Sequence, residues 1–252
     1  MVTAKSLTKF FFEKTRRQII AVNNLNFIAN DGEIFGLLGP NGAGKTTTLR
    51  IIATILKPTA GTVIVDGNSV IEVPGKVRRN IGFMTGETKL YDRLTVRETF
   101  KYFGKLYNVD DIRLEKRIEE LILMFGLNEV RNRRIANLSD GMRQKVSLGR
   151  TIIHNPKNLI LDEPLTGLDI LARRTVTNFI KEAKKRNNCI IFSTHIMSEA
   201  EELCDRIAII NKGLILDIGA KEELKARHRA TTLEDIFIHL LRMHDEESDS
   251  YI

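Results

Sequence analysis

Short, unbroken apolar runs alternate along this chain with longer stretches in which apolar residues recur every three or four positions. Runs of that length suit strands buried on both faces, and their alternation with helical patterns predicts an α/β fold with a largely parallel sheet. The predicted buried strands cover 34–38, 159–162, 190–193 and 207–210. Two further runs, 63–66 (closed by Gly67) and 214–217, are assigned to an outer antiparallel layer. Between 88 and 155 the pattern changes. Leu114, Ile118, Leu121, Ile122 and Phe125 step by threes and fours, the signature of one apolar helix face. The whole stretch is predicted to be an all-helical insert within the α/β core. A last helical stretch after Gly219 carries Leu233, Ile236, Phe237, Leu240 and Leu241 on one face. Residues 1–240 therefore read as one domain, and 241–252 as an acidic tail expected to fray.

Composition narrows this only a little. A chain of 252 residues with 42% hydrophobic and 28% charged residues is ample for a globular core. No apolar run approaches the ~18–20 residues that span a bilayer. The first residues carry no apolar segment of the secretory kind, so the expected location is the cytoplasm, with any membrane action exerted through a partner. Cys189 and Cys204 are isolated, without metal-ligand spacing, and read as reduced core filler. The net charge of +7 is spread along the chain, with short clusters at 14–17, 131–134 and 181–186. There is no Trp and no interleaving of aromatics with these cations, so they read as solvated faces and no nucleic-acid partner is expected.

The chemistry enters at Gly39-Pro40-Asn41-Gly42-Ala43-Gly44-Lys45-Thr46, which follows a predicted strand and opens a predicted helix. That is GxxxxGK[ST] in its required context. The glycines let backbone N–H groups close on a β-phosphate at the positive end of the helix. Lys45 reaches the β/γ oxygens, and the Thr46 hydroxyl ligates Mg²⁺. Downstream, an apolar strand ends in Asp162-Glu163-Pro164. Asp162, at the carboxyl end of a parallel strand, is placed to hold the Mg²⁺. Glu163, one residue on, is placed to polarise the attacking water as general base. The chain reads as a Mg²⁺-dependent nucleoside triphosphatase.

Leu138-Ser139-Asp140-Gly141-Met142 resembles the LSGGQ signature of ABC-type ATPases. Together with the phosphate loop, Leu165-Thr166-Gly167-Leu168-Asp169 and Ser193-Thr194-His195, the resemblance spans roughly residues 2–240. It implies a RecA-like core of the P-loop NTPase fold, with an antiparallel β layer and an inserted α-helical subdomain. It also implies that Ser139 and Gly141 face the nucleotide of a second subunit in a head-to-tail pair, expected to be a homodimer. Asp169 matches the acid that links the two sites, and His195 the histidine that contacts the γ-phosphate. Phe11 sits where the family stacks an aromatic on adenine, and Val22 and Thr47 join the nucleotide-binding set.

Three positions depart from the family pattern: Asp140 replaces a Gly, Met142 a Gln, and Gly86 the Gln of the family's IGYxPQE stretch, which residues 81–87 resemble. Asp140 is expected to cap the helix rather than oppose phosphate. Glu87 or water is expected to serve in place of the missing Gln. The stretches 85–95 and 232–237 are similar to those of sodium-extrusion (NatA-like) and drug-export ATPases. The resemblance thus implies an ATP-hydrolysing transporter subunit attached to a separate membrane permease. A non-transport ABC ATPase acting on ribosomes or DNA is the alternative.

Overall fold

A computed structural model describes residues 1–12, 18–86 and 89–249, with side chains as far as Met243. Two long strands, β1 (Val2–Phe12) and β2 (Gln18–Ala29), pair antiparallel at the start of the chain. The fully buried β3 (Ile34–Leu38) runs into α1 (Lys45–Ile52). Strands β4 (Ala60–Val65) and β5 (Asn68–Ser69) complete a four-stranded antiparallel sheet of order β2-β1-β4-β5. Helix α2 (Pro74–Asn80) leads into β6 (Ile81–Thr85).

The helical insert follows as α3 (Val96–Leu106), α4 (Asp111–Met124) and α5 (Asp140–Thr151). A capping box between Thr95 and Glu98 starts α3, and the Asp110 carboxylate caps α4. The predicted face of α4 is buried throughout, from Leu114 to Phe125. Glycines let the three helices close on one another. A Cβ on Gly149 of α5 would lie 2.6 Å from the Phe100 ring, and one on Gly104 of α3 would lie 2.2 Å from Leu114.

Strand β7 (Asn158–Asp162), α6 (Ile170–Lys185), β8 (Cys189–Thr194), α7 (Met197–Leu203) and β9 (Arg206–Asn211) return the chain to the α/β core. Strand β10 (Leu214–Ala220), α8 (Lys221–His228) and α9 (Leu233–Asp249) end it. The large sheet has the order β10-β9-β3-β8-β7-β6, parallel except for β10. Alternate residues of β3 feed opposite sides. Ile34 and Leu38 enter the core shared with the insert, while Phe35 and Leu37 enter the core beneath the antiparallel sheet.

One predicted placement is corrected. The strand at 214–217 belongs to the edge of the main sheet, not to the outer layer. The cause is local: Lys212 and Gly213 both have positive φ, 45° and 80°, which makes a tight hairpin that returns the chain antiparallel beside β9. The sequence pattern also passed over β1, β2 and β6. Strand β1 is only partly buried, and bulges break its alternation. Gly82 interrupts β6, where a Cβ would meet the Thr151 carbonyl at 2.6 Å.

Candidate functional site

Parallel register assembles the site. Leu38 pairs with Thr194, and Asp162 lies between Ser193 on one side and Thr85 on the other. The carboxyl ends of β3, β7 and β8 thus share one edge of the sheet, where ligands of open α/β sheets bind.

The loop from Gly39 to Gly44 is compact because two of its glycines have no room for a side chain. A Cβ on Gly39 would fall 2.1 Å from the Ile210 carbonyl oxygen. Gly44, at φ +104°, would place one 2.3 Å from the Ala21 carbonyl oxygen. No side chain caps the first amides of α1. These donors are therefore left for an anion at the positive end of the helix. A hollow of about 130 Å³ lies over the loop, lined by Ala21, residues 40–47 and Glu163. Lys45 is 5% exposed, and its ammonium donates to the carbonyls of Gly39 (2.7 Å) and Pro40 (3.1 Å). Burial pulls its pKa below the ordinary lysine value, and the negative charges of Glu163 and Asp162 oppose that shift.

Ser193 ties the two acids together. Its hydroxyl donates to Asp162 Oδ1 at 2.6 Å, and Glu163 N–H approaches the Ser193 hydroxyl and carbonyl oxygens at 3.1 and 3.2 Å. Glu163 has φ +48°, a left-handed conformation that costs a non-glycine residue roughly 1–2 kcal/mol. That turn carries its carboxylate away from Asp162 toward the hollow. Glu163 Oε1 lies 3.0 Å from His195 Nδ1 and 3.7 Å from Lys45 Nζ, and Thr166 donates to Oε2 at 3.4 Å. The carboxylate is thereby held between an imidazole and an ammonium, beside a phosphate-sized hollow.

Among the described residues no three His, Cys, Asp or Glu side chains cluster as a metal cage. Mg²⁺ needs no such cage: it takes one or two protein oxygens and completes its shell with phosphates and water. The Thr46 hydroxyl and Asp162 carboxylate are hard oxygen donors of that kind.

The signature residues stand apart from this hollow. Ser139 Oγ accepts from Met142 N–H at 3.3 Å and caps α5. The expectation that Asp140 caps the helix is corrected. Asp140 is its first helical residue, exposed, where its charge complements the positive helix end. Arg143 folds back to the carbonyls of Leu138 (3.2 Å) and Ala136 (2.9 Å), shaping the turn before Ser139. Gly141 abuts the start of α6, where a Cβ would lie 3.3 Å from Asp169 Oδ2. Asp169 itself caps α6, accepting from Ala172 N–H at 2.8 Å.

Two sequence expectations lie outside the hollow. Val22 is corrected: it is 0% exposed and packs in the core, while its neighbour Ala21 lines the hollow. Adjacent strand residues face opposite ways, so a shift of one position reverses the assignment. Phe11 is 39% exposed with Lys9 Nζ 5.1 Å from its ring centre, and it does not line the hollow. Gly86 borders a groove with Lys89, Asp140 and Gln144, whereas Glu87 lies outside the described residues. Sequence reasoning gave no role to Ser193 or Gln144. Gln144 donates to the Pro164 carbonyl at 2.9 Å, joining α5 to the loop after Glu163.

A glycine loop that opens a helix against a parallel sheet, with a lysine folded under it, defines the P-loop nucleoside triphosphatases. Within that class the chain matches the ABC transporter family over residues 22–166. It is 40% identical over 242 residues to the ABC transporter ATP-binding protein NatA of Bacillus subtilis (strain 168), covering 96% of this chain and 98% of that one. It is 37% identical over 229 residues to the daunorubicin/doxorubicin resistance ATP-binding protein DrrA of Streptomyces peucetius, covering 90% of this chain and 67% of that one. A solved ATP-binding subunit of an ABC transporter superposes with a TM-score of 0.86 at 28% identity, covering 96% and 99% of the two chains. A dimeric ATP-binding cassette in a post-hydrolysis state, bound to ADP and Pi, superposes at 0.79 with 27% identity, covering 87% and 98%. The chain belongs to the ABC transporter family, and it is an ATP-binding and ATP-hydrolysing cassette.

Proposed function

We propose that this cassette powers solute export through a separately encoded membrane permease, working on the inner face of the membrane as one of two head-to-tail ATPase subunits. The observation that carries the catalytic part is the Glu163 carboxylate held 3.0 Å from His195 and 3.7 Å from Lys45 at the phosphate hollow.

The phosphate-loop amides and Lys45 bind and orient the β- and γ-phosphates of ATP. Thr46 and Asp162 would hold Mg²⁺, which when bound would neutralise phosphate charge. Glu163 takes the proton of the attacking water, and His195 fixes the carboxylate that does so. Ser139, Gly141 and Asp169 act on the nucleotide of the second subunit. In support, they line no part of this chain's own hollow, and the cap on α5 presents a helix end on an exposed turn. No described helix is long and apolar enough to cross a membrane, which accords with a separate permease. The groove beside Gly86, Lys89 and Leu90 is where that partner docks.

Export of sodium ions or a drug is favoured over import by the sequence variants at 85–95 and 232–237 and by the resemblance to a drug-resistance ATPase. Gentle solubilisation of native membranes, affinity capture of this protein and mass spectrometry test the proposal. A stoichiometric polytopic protein is expected. Ribosomal or DNA-bound partners, with no membrane protein, overturn it in favour of a non-transport role.

A further inference from the structure

A buried carboxylate outside the hollow is wired to it. Glu199, in the first turn of α7, is 1% exposed. Its Oε2 accepts from the Thr194 hydroxyl at 2.5 Å, and that hydroxyl accepts in turn from Ile196 N–H at 3.0 Å. Thr194 and Ile196 flank His195, so one side chain pins the backbone on both sides of the imidazole. The other oxygen, Oε1, lies 3.0 Å from an Arg173 guanidinium nitrogen. Arg173 stands in the first turn of α6, where its N–H bonds to the carbonyl of Asp169 at 2.8 Å. The path therefore runs from the Asp169 cap through Arg173, Glu199 and Thr194 to His195 and Glu163.

Packing does not account for this arrangement. Taking a carboxylate out of water costs several kcal/mol, and a well-packed apolar pair of similar volume serves stability as well or better. What the charged pair supplies is direction. The carboxylate accepts a hydrogen bond from the Thr194 hydroxyl through Oε2 and forms an ion pair with the Arg173 guanidinium through Oε1, which accepts no hydrogen bond among the described residues. Movement of Thr194 loses the bond, and movement of Arg173 loses the pair.

We propose that Glu199 is a positioning residue for ATP hydrolysis: it holds Thr194 so that His195 is aimed at Glu163, and through Arg173 it ties that aim to the start of α6. The inference rests on the assignment of Glu163 and His195 made above.

The test is steady-state hydrolysis over a range of MgATP concentrations, using the full chain. Variants are Glu199→Gln, Thr194→Val, Thr194→Ser, their Glu199→Gln/Thr194→Val combination and, as reference, His195→Ala. A misaimed imidazole is expected to lower kcat about tenfold to a hundredfold in Glu199→Gln and Thr194→Val, with KM within about threefold of the parent. Thr194→Ser, which keeps the hydroxyl, is expected to recover most of the loss. The double variant is expected to fall no further than the worse single one, because both break the same path. Thr194→Val exchanges the hydroxyl for a methyl of similar size and keeps the Glu199–Arg173 pair, so it keeps the test open if Glu199→Gln folds poorly. Parent-like kcat in Thr194→Val, losses that multiply, or a loss confined to KM would each overturn the inference. His195→Ala separates the two levels. If it is inactive while Glu199→Gln and Thr194→Val are parent-like, only this inference fails. If it hydrolyses ATP at the parent rate, the assignment beneath it fails.

Discussion

Replacing Glu163 by Gln keeps the shape of the side chain and removes its ability to take a proton. A positioned general base contributes about 10²–10⁴ in rate, or roughly 3–5 kcal/mol of barrier. Hydrolysis is therefore expected to fall by at least a hundredfold. Stability is expected to change far less. Glu163 is 27% exposed, and its ammonium partner, Lys45, lies 3.7 Å away, so the lost attraction is about 1 kcal/mol or below. The left-handed backbone at φ +48° is no easier for Gln, so its strain stays the same. For a chain of this size that limit corresponds to a melting shift of about 2–4 °C. Lys45 keeps its bonds to the Gly39 and Pro40 carbonyls, and ATP binding is expected to persist. Phosphate release at saturating MgATP gives the first quantity and thermal unfolding the second, while size-exclusion chromatography is expected to show an ATP-bound dimer that no longer turns over. Hydrolysis within tenfold of the parent would refute the base assignment. A stability loss of several kcal/mol would show instead that Glu163 is mainly a structural counter-ion of Lys45.

The remaining predictions concern the fold around the site. His154 donates from Nε2 to the Ile81 carbonyl at 3.0 Å, its Nδ1 is buried without a partner, and burial lowers its pKa to about 4. Above pH 6.5 both folded and unfolded chains hold the neutral ring. Below it the unfolded chain takes the proton first, so stability is expected to fall by up to about 3 kcal/mol as pH drops from 6.5 toward 4. Urea midpoints at pH 7 and pH 5 measure this, and His154→Gln should flatten the difference. Gly149→Ala drives a Cβ to 2.6 Å from the fully buried Phe100 and is expected to cost about 1–3 kcal/mol by thermal unfolding. Gly75→Ala, with nothing within 4 Å, is the neutral comparison. Asp140→Gly leaves the Ser139 cap in place and is expected to keep or raise hydrolysis; a collapse of activity would show that this acid is needed.

What the sequence determined by itself is local chemistry. A glycine loop, a lysine and a helix start follow one another within a few residues, so the loop from Gly39 to Thr46 was legible, as was the apolar face of α4. The Asp162–Glu163 pair was legible because a buried run of β7 ends there. Tertiary structure decided everything that depends on how distant segments meet. The register of β3, β7 and β8 brings Lys45, Glu163 and His195 within reach, and no local pattern sets it. Which of Ala21 and Val22 faces the hollow turns on the pleat of β2, where one residue reverses the answer. Ser139 takes the cap expected of Asp140 because the preceding turn, held by Arg143, starts the helix one residue earlier. The joining of Thr194 to Arg173 by Glu199 is likewise invisible in sequence. Its members sit on a strand and two helices, and a buried charge finds its partners only once those elements are packed.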